Sequence, residues 1–446
     1  MTDFLHEPLA AIRRVQNQKL PSMLDLCAQG HPYYRRRWSE TGVDLAAIRS
    51  VDDLHQLPLT PKQDLIANPE DFRLSCPDLP LHERALWEVL YTTGTSGNPT
   101  PLYGTTHDYY SYLFMARRVA EISGITDRDV IANLFPLAAA AMGAYVRSSA
   151  LAYAAGAAVV GGLTGAPYGE MEVHRSLDEA VRLVERHKAT VLWGVTSFVR
   201  RVVIRAAELG ADFTHVRMCA ITGEASSPAM RSDVRARLCA LGASTPIIFD
   251  RYGNTESGGL AQCCEEGDWH NPTPELLYHE VVDPETGAPL ADGERGSLAI
   301  THLDRRGSVL IRYLVGDEVS LTHTPCPNCG RNGDRLVGPV VRTKDLIKVK
   351  GMLINPAALL DTIEAVPDVD EFQVVVGRQD PADPFSMDEM VIRVATPRPD
   401  REAFADAIVR AAAEAVGVRP RVVFAAARDI YDPVRQPKAV RLVDKR

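Results

Sequence analysis

Between residues 129 and 252, five short apolar runs alternate with stretches whose apolar residues recur at helical spacing. The runs cover 129–135, 157–161, 190–193, 216–222 and 246–252, and the helical patterns fall at 177–187, 197–209 and 229–241. Short apolar runs bounded by Gly and hydroxyl residues read as buried strands. Strands alternating with helices predict α/β layering around a parallel sheet. Ligands of such sheets bind beyond the carboxyl ends of the strands, so the turns that close these runs are the expected place for a site.

At 446 residues the chain is too long for one ordinary core, and two domains are expected. From residue 280 the pattern shifts to β structure, with a turn at Asp283-Pro284-Glu285-Thr286-Gly287 and alternating runs at 296–303 and 309–313. The prediction is an α/β protein: a large multi-layer N-terminal domain over 1–341, β-rich from about 280, and a small α+β C-terminal domain over 345–446. That tail reads as a strand at 346–349, a helix at 357–365, a strand at 372–377, a helix at 401–416 and a last strand at 421–425. A net charge of −9 argues against nucleic-acid binding and against a basic membrane patch. The first twenty residues lack the apolar core of a signal peptide, and no segment reads as a membrane span, so a cytoplasmic location is expected.

The segment Tyr91-Thr92-Thr93-Gly94-Thr95-Ser96-Gly97-Asn98-Pro99-Thr100 follows an apolar run at 85–90. Glycines let the backbone approach a ligand closely, and successive N–H groups and hydroxyls can wrap phosphate oxygens. A helix is predicted over 107–123, capped by Thr106 and stopped by Gly124, with its positive end near this loop. No Gly-Lys-Ser/Thr closes the loop, so it is not a Walker motif.

Five other segments carry chemistry. Arg251-Tyr252-Gly253-Asn254-Thr255-Glu256 closes a predicted strand with a carboxylate suited to Mg²⁺ and a hydroxyl within reach of a phosphate. Tyr313-Leu314-Val315-Gly316-Asp317 places a carboxylate of the kind that recognises a ribose diol. Arg342-Thr343-Lys344-Asp345 and Lys348-Val349-Lys350-Gly351 lie at the inferred domain boundary, and Thr222-Gly223-Glu224-Ala225 ends another strand. Near the end stands Arg435-Gln436-Pro437-Lys438-Ala439.

Together these segments resemble the motifs of adenylate-forming enzymes, the superfamily of acyl-CoA synthetases, luciferases and peptide-synthetase adenylation domains, and most closely the phenylacetate–CoA ligase-like enzymes. Thr93 to Pro99 stands in the places of Ser-Gly-Thr-Thr-Gly-Lys-Pro, with Asn98 where that pattern has lysine. Residues 252–256 match Tyr-Gly-x-Thr-Glu at every fixed place, while Leu314-Val315 replaces an Arg-Thr pair and Pro437 replaces a glycine. The resemblance implies that Thr93, Gly94, Thr95, Ser96 and Gly97 hold phosphates of ATP. It gives Thr255 and Glu256 the α-phosphate and Mg²⁺, and Asp317 the ribose. Gly223, Glu224, Tyr252, Gly253, Arg342 and Lys348 would also line the nucleotide. Lys344 would be the hinge about which the small domain swings. Lys438 would stabilise charge as it develops between the acid's carboxylate and the α-phosphate. Phe135, Ala138, Ala139, Tyr145 and Gly253 would line the acid, and an apolar pocket with aromatic walls suits an aryl or arylacetic acid.

The implied activity is a two-step AMP-forming ligation: a carboxylic acid becomes an acyl-adenylate with release of pyrophosphate, and coenzyme A then captures the acyl group. A carrier-protein thiol or an amine or hydroxyl acceptor is the near alternative, and a non-catalytic nucleotide-binding regulator the remote one. A homodimer is implied only weakly. Four of the eight cysteines are clustered, as Cys263-Cys264 and Cys326-Pro327-Asn328-Cys329. With His270 they offer a ligand set for a structural Zn²⁺, with one of Cys263 and Cys264 as the fourth ligand.

Overall fold

The computed structural model describes residues 4–92, 99–137, 143–164, 174–224, 226–265, 267–342, 347–349, 352–354, 356–380, 387–433, 436 and 438–446, with backbone only for Arg342, Lys348, Met352 and Leu353. The chain opens with helices α1 (Leu9–Gly30), α2 (Pro32–Thr41), α3 (Lys62–Ala67) and α4 (Leu81–Arg84), then a hairpin of β1 (Leu86–Tyr91) and β2 (Pro101–Thr105). Helix α5 (Thr106–Ser123) follows directly. Its cap is Thr105 rather than the expected Thr106: Asp108 N donates to Thr105 Oγ1, and the Asp108 carboxylate accepts Thr105 N. Gly124 ends the helix at φ 68, as expected.

The five apolar runs form β3 (Val130–Asn133), β4 (Ala158–Gly161), β5 (Val191–Val195), β6 (Met218–Thr222) and β7 (Ile247–Arg251). All neighbours are parallel, in the order β4-β3-β5-β6-β7. Helices α6 (Gly143–Ala155), α7 (Leu177–Arg186), α8 (Thr196–Leu209) and α9 (Pro228–Ala240) connect the strands. Helices α5 and α6 pack together, and α7, α8 and α9 pack together on the other side. At Gly194 a Cβ would press on Val199 of α8 and on Leu134 at 3.1 Å, so a missing side chain lets that helix close on the sheet.

A second, antiparallel sheet begins after two short paired strands, β8 (Gly253–Asn254) and β9 (Gly258–Gly259). It contains β10 (Trp269–His270), β11 (Leu277–Val282), β12 (Arg295–His302), β13 (Tyr313–Thr322) and β14 (Arg335–Arg342), in the order β10-β14-β13-β12-β11. Its apolar side shares one core with α1, α2 and the segment that follows them. The C-terminal part has its own core. It comprises β15 (Ile347–Val349), β16 (Met352–Ile354), α10 (Pro356–Glu364), β17 (Glu371–Arg378), β18 (Asp388–Ala395), α11 (Arg401–Val416), β19 (Arg421–Phe424), α12 (Ala427–Ile430) and β20 (Leu442–Asp444). The expected last strand, β19, is followed by β20, which pairs parallel to β17 in a sheet ordered β19-β18-β17-β20. No helix among the described residues is long and apolar enough to cross a membrane.

One expected strand is absent. Residues 309–312 are not part of a strand, although Val309, Leu310 and Ile311 are fully buried. Their N–H groups donate to Phe72 O, His302 Nδ1 and the Tyr34 hydroxyl instead of to a neighbouring strand. Arg312 then turns the chain at φ 47 before β13 begins. Its guanidinium is 1 % exposed and forms a two-pronged pair with Glu280, at 2.9 and 3.1 Å. It also donates to Leu57 O at 2.6 Å, Gly287 O at 2.7 Å and His55 O at 3.3 Å. Removing one member of a buried pair leaves the other charge uncompensated, so Arg312→Met should lower the unfolding free energy by about 3–5 kcal/mol in denaturant melts. A loss below about 1 kcal/mol, the level of a surface pair, would show that this network does not hold the sheet to the N-terminal segment.

Candidate active site at the strand edge

Three neighbouring strands end at one edge of the parallel sheet, and the turns beyond them carry most of the polar residues singled out in the sequence. β5 runs into the start of α8, where Ser197 donates its N–H at 2.9 Å and its hydroxyl at 3.0 Å to the two carboxylate oxygens of Glu224. Burial pushes the Glu224 carboxyl up, against the opposing pull of Arg441 and the Ser197 bonds. β6 ends at Thr222, whose hydroxyl donates to Arg251 O at 2.5 Å and so joins the tips of β6 and β7. Gly223 follows at φ 83, in the left-handed region that favours glycine.

Lys438 reaches this edge from the far end of the chain. Its Nζ donates to Gly223 O at 3.0 Å, and the next N–H, of Ala439, donates to Ser197 Oγ at 3.3 Å. Further contacts hold the C-terminal part against α8 and α9. Arg200 donates to Val369 O at 2.8 Å and to Asp370 O, and Ser227 donates to Glu364 at 2.6 Å.

Beyond β7 the chain folds into the β8–β9 hairpin. A Cβ on Gly253 would lie 2.7 Å from Gly258 O and 3.0 Å from Gly259 Cα, so only glycine fits there. Glu256 is 4 % exposed, and its Oε1 accepts from Lys62 Nζ at 3.1 Å and from the Tyr313 hydroxyl at 3.2 Å. Its Oε2 has no hydrogen bond among the described residues and remains open to a cation. The Tyr252 hydroxyl donates to Asp317 Oδ2 at 2.7 Å. Burial, followed by the Asp317 charge, holds that phenol far above its usual range, so it keeps its proton and stays the donor. Asp317 lies inside β13, not in a turn after a strand. The register between β12 and β13 slips across Val315, Gly316 and Asp317, and this bulge aims the carboxylate at Tyr252.

A second cluster lies next to β10. The ligand atoms of Cys263, His270, Cys326 and Cys329 all fall within 4.8 Å of one another. Cys263 Sγ is 3.9 Å from Cys326 Sγ, and Cys329 Sγ is 3.6 Å from His270 Nε2. Burial, helped by Arg335 and Arg331, holds His270 down to about 4, so its imidazole is neutral at neutral pH. The geometry decides between the adjacent cysteines: Cys263 joins the cluster and Cys264 does not.

With this geometry in hand, comparison with known proteins is informative. A family model described as AMP-binding enzyme matches residues 38–303. The chain belongs to the AMP-binding enzyme family. This adenylate-forming chain is 26% identical over 438 residues to a phenylacetate-coenzyme A ligase of Thermus thermophilus, spanning 96% of this chain and 91% of that protein. It is also 26% identical over 388 residues to the phenylacetate-coenzyme A ligase of Escherichia coli, spanning 84% and 82%. Among solved structures, 2-hydroxyisobutyryl-CoA ligase in its postadenylation state with R3-HIB-AMP matches with a TM-score of 0.80, at 22% identity, over 98% of this chain and 90% of that one. The same ligase with 2-HIB-AMP and CoA in its thioesterification state matches with a TM-score of 0.65, at 23% identity and the same coverage.

The residues expected at the site divide into three groups. Gly223, Glu224, Tyr252, Gly253, Thr255, Glu256, Asp317 and Lys438 all lie on or next to the strand edge and its hairpin. Thr93, Gly94, Thr95, Ser96, Gly97, Ala138, Ala139 and Lys344 lie outside the described residues, as do the side chains of Arg342 and Lys348. Phe135, 4 % exposed, lies two residues beyond the carboxyl end of β3, and the Tyr145 hydroxyl lies over Gly161, the last residue of β4, in the same sheet. The expected proximity of the α5 N-terminus to the loop over residues 93–98 lies outside the described residues. The sequence reading missed Lys62 and Ser197. Their partners are 194 and 27 residues away, and neither sits in a recognisable motif.

The hairpin turn gives a direct test. Gly253→Ala drives a methyl into backbone on two sides, and overpacking of this kind should destabilise the protein by about 1–3 kcal/mol. Thermal melts at wild-type stability would show that the β8–β9 hairpin shifts freely and does not fix Tyr252 and Glu256.

Proposed function

We propose that this protein activates a small aromatic carboxylic acid with ATP, as an acyl-adenylate with release of pyrophosphate, and then passes the acyl group to the thiol of coenzyme A. The observation that carries this reading is the reach of Lys438 across 215 residues to the Gly223 carbonyl at the strand edge. A cation delivered there can bind the oxygens on which charge develops as the carboxylate attacks the α-phosphate. The better likeness to the postadenylation state of 2-hydroxyisobutyryl-CoA ligase supports a small domain docked for that first step.

In this reading Thr93, Gly94, Thr95, Ser96 and Gly97 wrap the phosphates, and Thr255 places its hydroxyl on the α-phosphate. Asp317, oriented by Tyr252, takes the ribose hydroxyls, while Gly223, Glu224, Arg342 and Lys348 line the nucleotide. Glu256 would hold Mg²⁺ through its open Oε2, and the ion would neutralise phosphate charge. Lys344 is the proposed hinge between an N-terminal domain over 1–341 and a C-terminal domain over 345–446. Rotation there would withdraw Lys438 and admit the thiol. Trp193, Tyr252 and Gly253 are the proposed walls for a flat acid. The phenylacetate-coenzyme A ligases among the relatives support an aromatic substrate and coenzyme A as acceptor.

Zn²⁺ is the proposed occupant of the Cys263, His270, Cys326 and Cys329 cluster. Zn–S bonds of about 2.3 Å in a tetrahedron separate the sulfurs by about 3.8 Å, close to the spacing found here. All four residues lie close to β10 and β14, so the ion would pin that edge of the second sheet.

Two experiments test these assignments. Lys438→Ala should reduce acid-dependent ATP–pyrophosphate exchange about 10²–10³-fold and leave thioester formation from supplied acyl-adenylate intact. An equal fall in both half-reactions, or in neither, overturns the role given to Lys438. For the metal, the purified protein should contain one equivalent of zinc by elemental analysis, and Cys326→Ser should lower both the zinc content and the melting temperature. Folded protein without zinc removes this claim.

A further inference from the structure

Two arginines, Arg312 fully buried and Arg251 part-buried, stand in contrast. Arg312 spends its donors on Glu280 and three carbonyls. Arg147, Arg335 and Arg441, also enclosed, each have a carboxylate partner in Glu88, Asp268 and Glu371. Arg251, the last residue of β7, has none: its guanidinium makes no hydrogen bond among the described residues, and its Nε is buried without a partner. Burial lowers it to about 10, which still leaves a full cation at neutral pH. A largely enclosed cation with no anion beside it among the described residues is unfavourable unless a ligand completes it.

The guanidinium lies over the Trp193 ring, 4.2 Å from the centroid, and Tyr112 of α5 stands near it. The Tyr112 hydroxyl donates to Arg147 O at 2.6 Å and makes no hydrogen bond with Arg251. Two consecutive glycines let the β9 backbone pack closely against Met115 and the arginine. A Cβ on Gly258 would meet Met115 Sδ at 2.8 Å, and one on Gly259 would meet Arg251 Nη2 at 3.3 Å. The backbone of Arg251 pairs with Thr222, one residue before the Gly223 turn that Lys438 contacts. The side chain therefore leaves the strand tip on the face shared with Trp193 and α5, while Lys438 stands at the tip itself.

We infer that Arg251 is the specificity residue of the acid pocket and binds a second carboxylate on the ring of the substrate, remote from the carboxylate that is activated. This rests on the acid-activation reading above. A planar guanidinium stacked on an indole face presents its donors in the ring plane, which suits a coplanar aryl carboxylate. A ring hydroxyl would satisfy one donor only. The acid class is then an aromatic dicarboxylic acid.

The test compares ATP–pyrophosphate exchange with benzoate, 4-hydroxybenzoate and benzene-1,4-dicarboxylate for the wild-type enzyme, Arg251→Met and Arg251→Lys. The wild type should prefer the dicarboxylate. Arg251→Met should lower its kcat/KM about 10–100-fold and leave benzoate unchanged or improved, because the lost bond is a charge-assisted one. Arg251→Lys should keep part of the preference. An equal fall with all three acids overturns the inference and assigns Arg251 to the reacting carboxylate or the phosphate. A change confined to 4-hydroxybenzoate overturns the second carboxylate. If no acid supports exchange, the activation reading fails separately, and tryptophan fluorescence then decides, with Trp193 beneath the guanidinium as reporter. Quenching by the dicarboxylate that is lost in Arg251→Met sustains the subsite, and no quenching overturns it. Because Arg251 makes no side-chain hydrogen bond among the described residues, Arg251→Met should melt at or above the wild-type temperature, so loss of fold does not confuse the result.

Discussion

The buried pair of Arg312 and Glu280 is the constraint on which the arrangement of the second sheet depends. One guanidinium joins β11, the Gly287 turn and the carbonyls of Leu57 and His55. It sits at the left-handed residue that ends an irregular segment and starts β13. Thr60 N donates to Arg312 O, and Leu314 N donates to Thr60 O, so the N-terminal segment and the strand are laced together on both sides of the turn. That lacing sets where Tyr313 begins, and Tyr313 and Lys62 are the two groups that fix Glu256. A structural ion pair thus bears on the position of a carboxylate that it does not touch.

Around the strand edge, the molecule uses short polar bonds to join elements distant in sequence. Glu224 is held by Ser197, Ser197 accepts from Ala439, and Lys438 donates to Gly223. Two residues of the C-terminal segment therefore bond to two adjoining turns of the N-terminal sheet. These contacts are polar and partly exposed, and surface polar bonds contribute little each. Polar interfaces of this kind permit domain motion that a large apolar seam would prevent.

Much of this architecture was legible in the sequence because its signals were local. The strands β3 to β7 are short apolar runs ended by turn residues, and α7, α8 and α9 show a clear apolar stripe, so both were recoverable within a residue or two. The segment 309–312 misled for a physical reason. It is as apolar as a strand, but its amides bond to a tyrosine hydroxyl, an imidazole and a single carbonyl, which no periodicity reveals. The choice between Cys263 and Cys264 needed coordinates, because neighbouring residues with the same chemistry differ only in direction. Lys62 and Arg251 were opaque for opposite reasons. Lys62 is an unremarkable lysine on a short helix whose partner is remote in sequence, and Arg251 matters through bonds it lacks.

Gly223 has a meaning beyond its backbone angle. A Cβ there would lie 3.4 Å from Lys438 Nζ, on the surface where the C-terminal segment docks. The smallest added side chain would bear on the docked arrangement and leave an undocked one free. In the proposed reading, position 223 acts as a dial on the equilibrium between two poses of the small domain. Since a perturbation shifts such an equilibrium only by its differential energy in the two states, a methyl group here would redistribute time between the poses without altering a reacting atom.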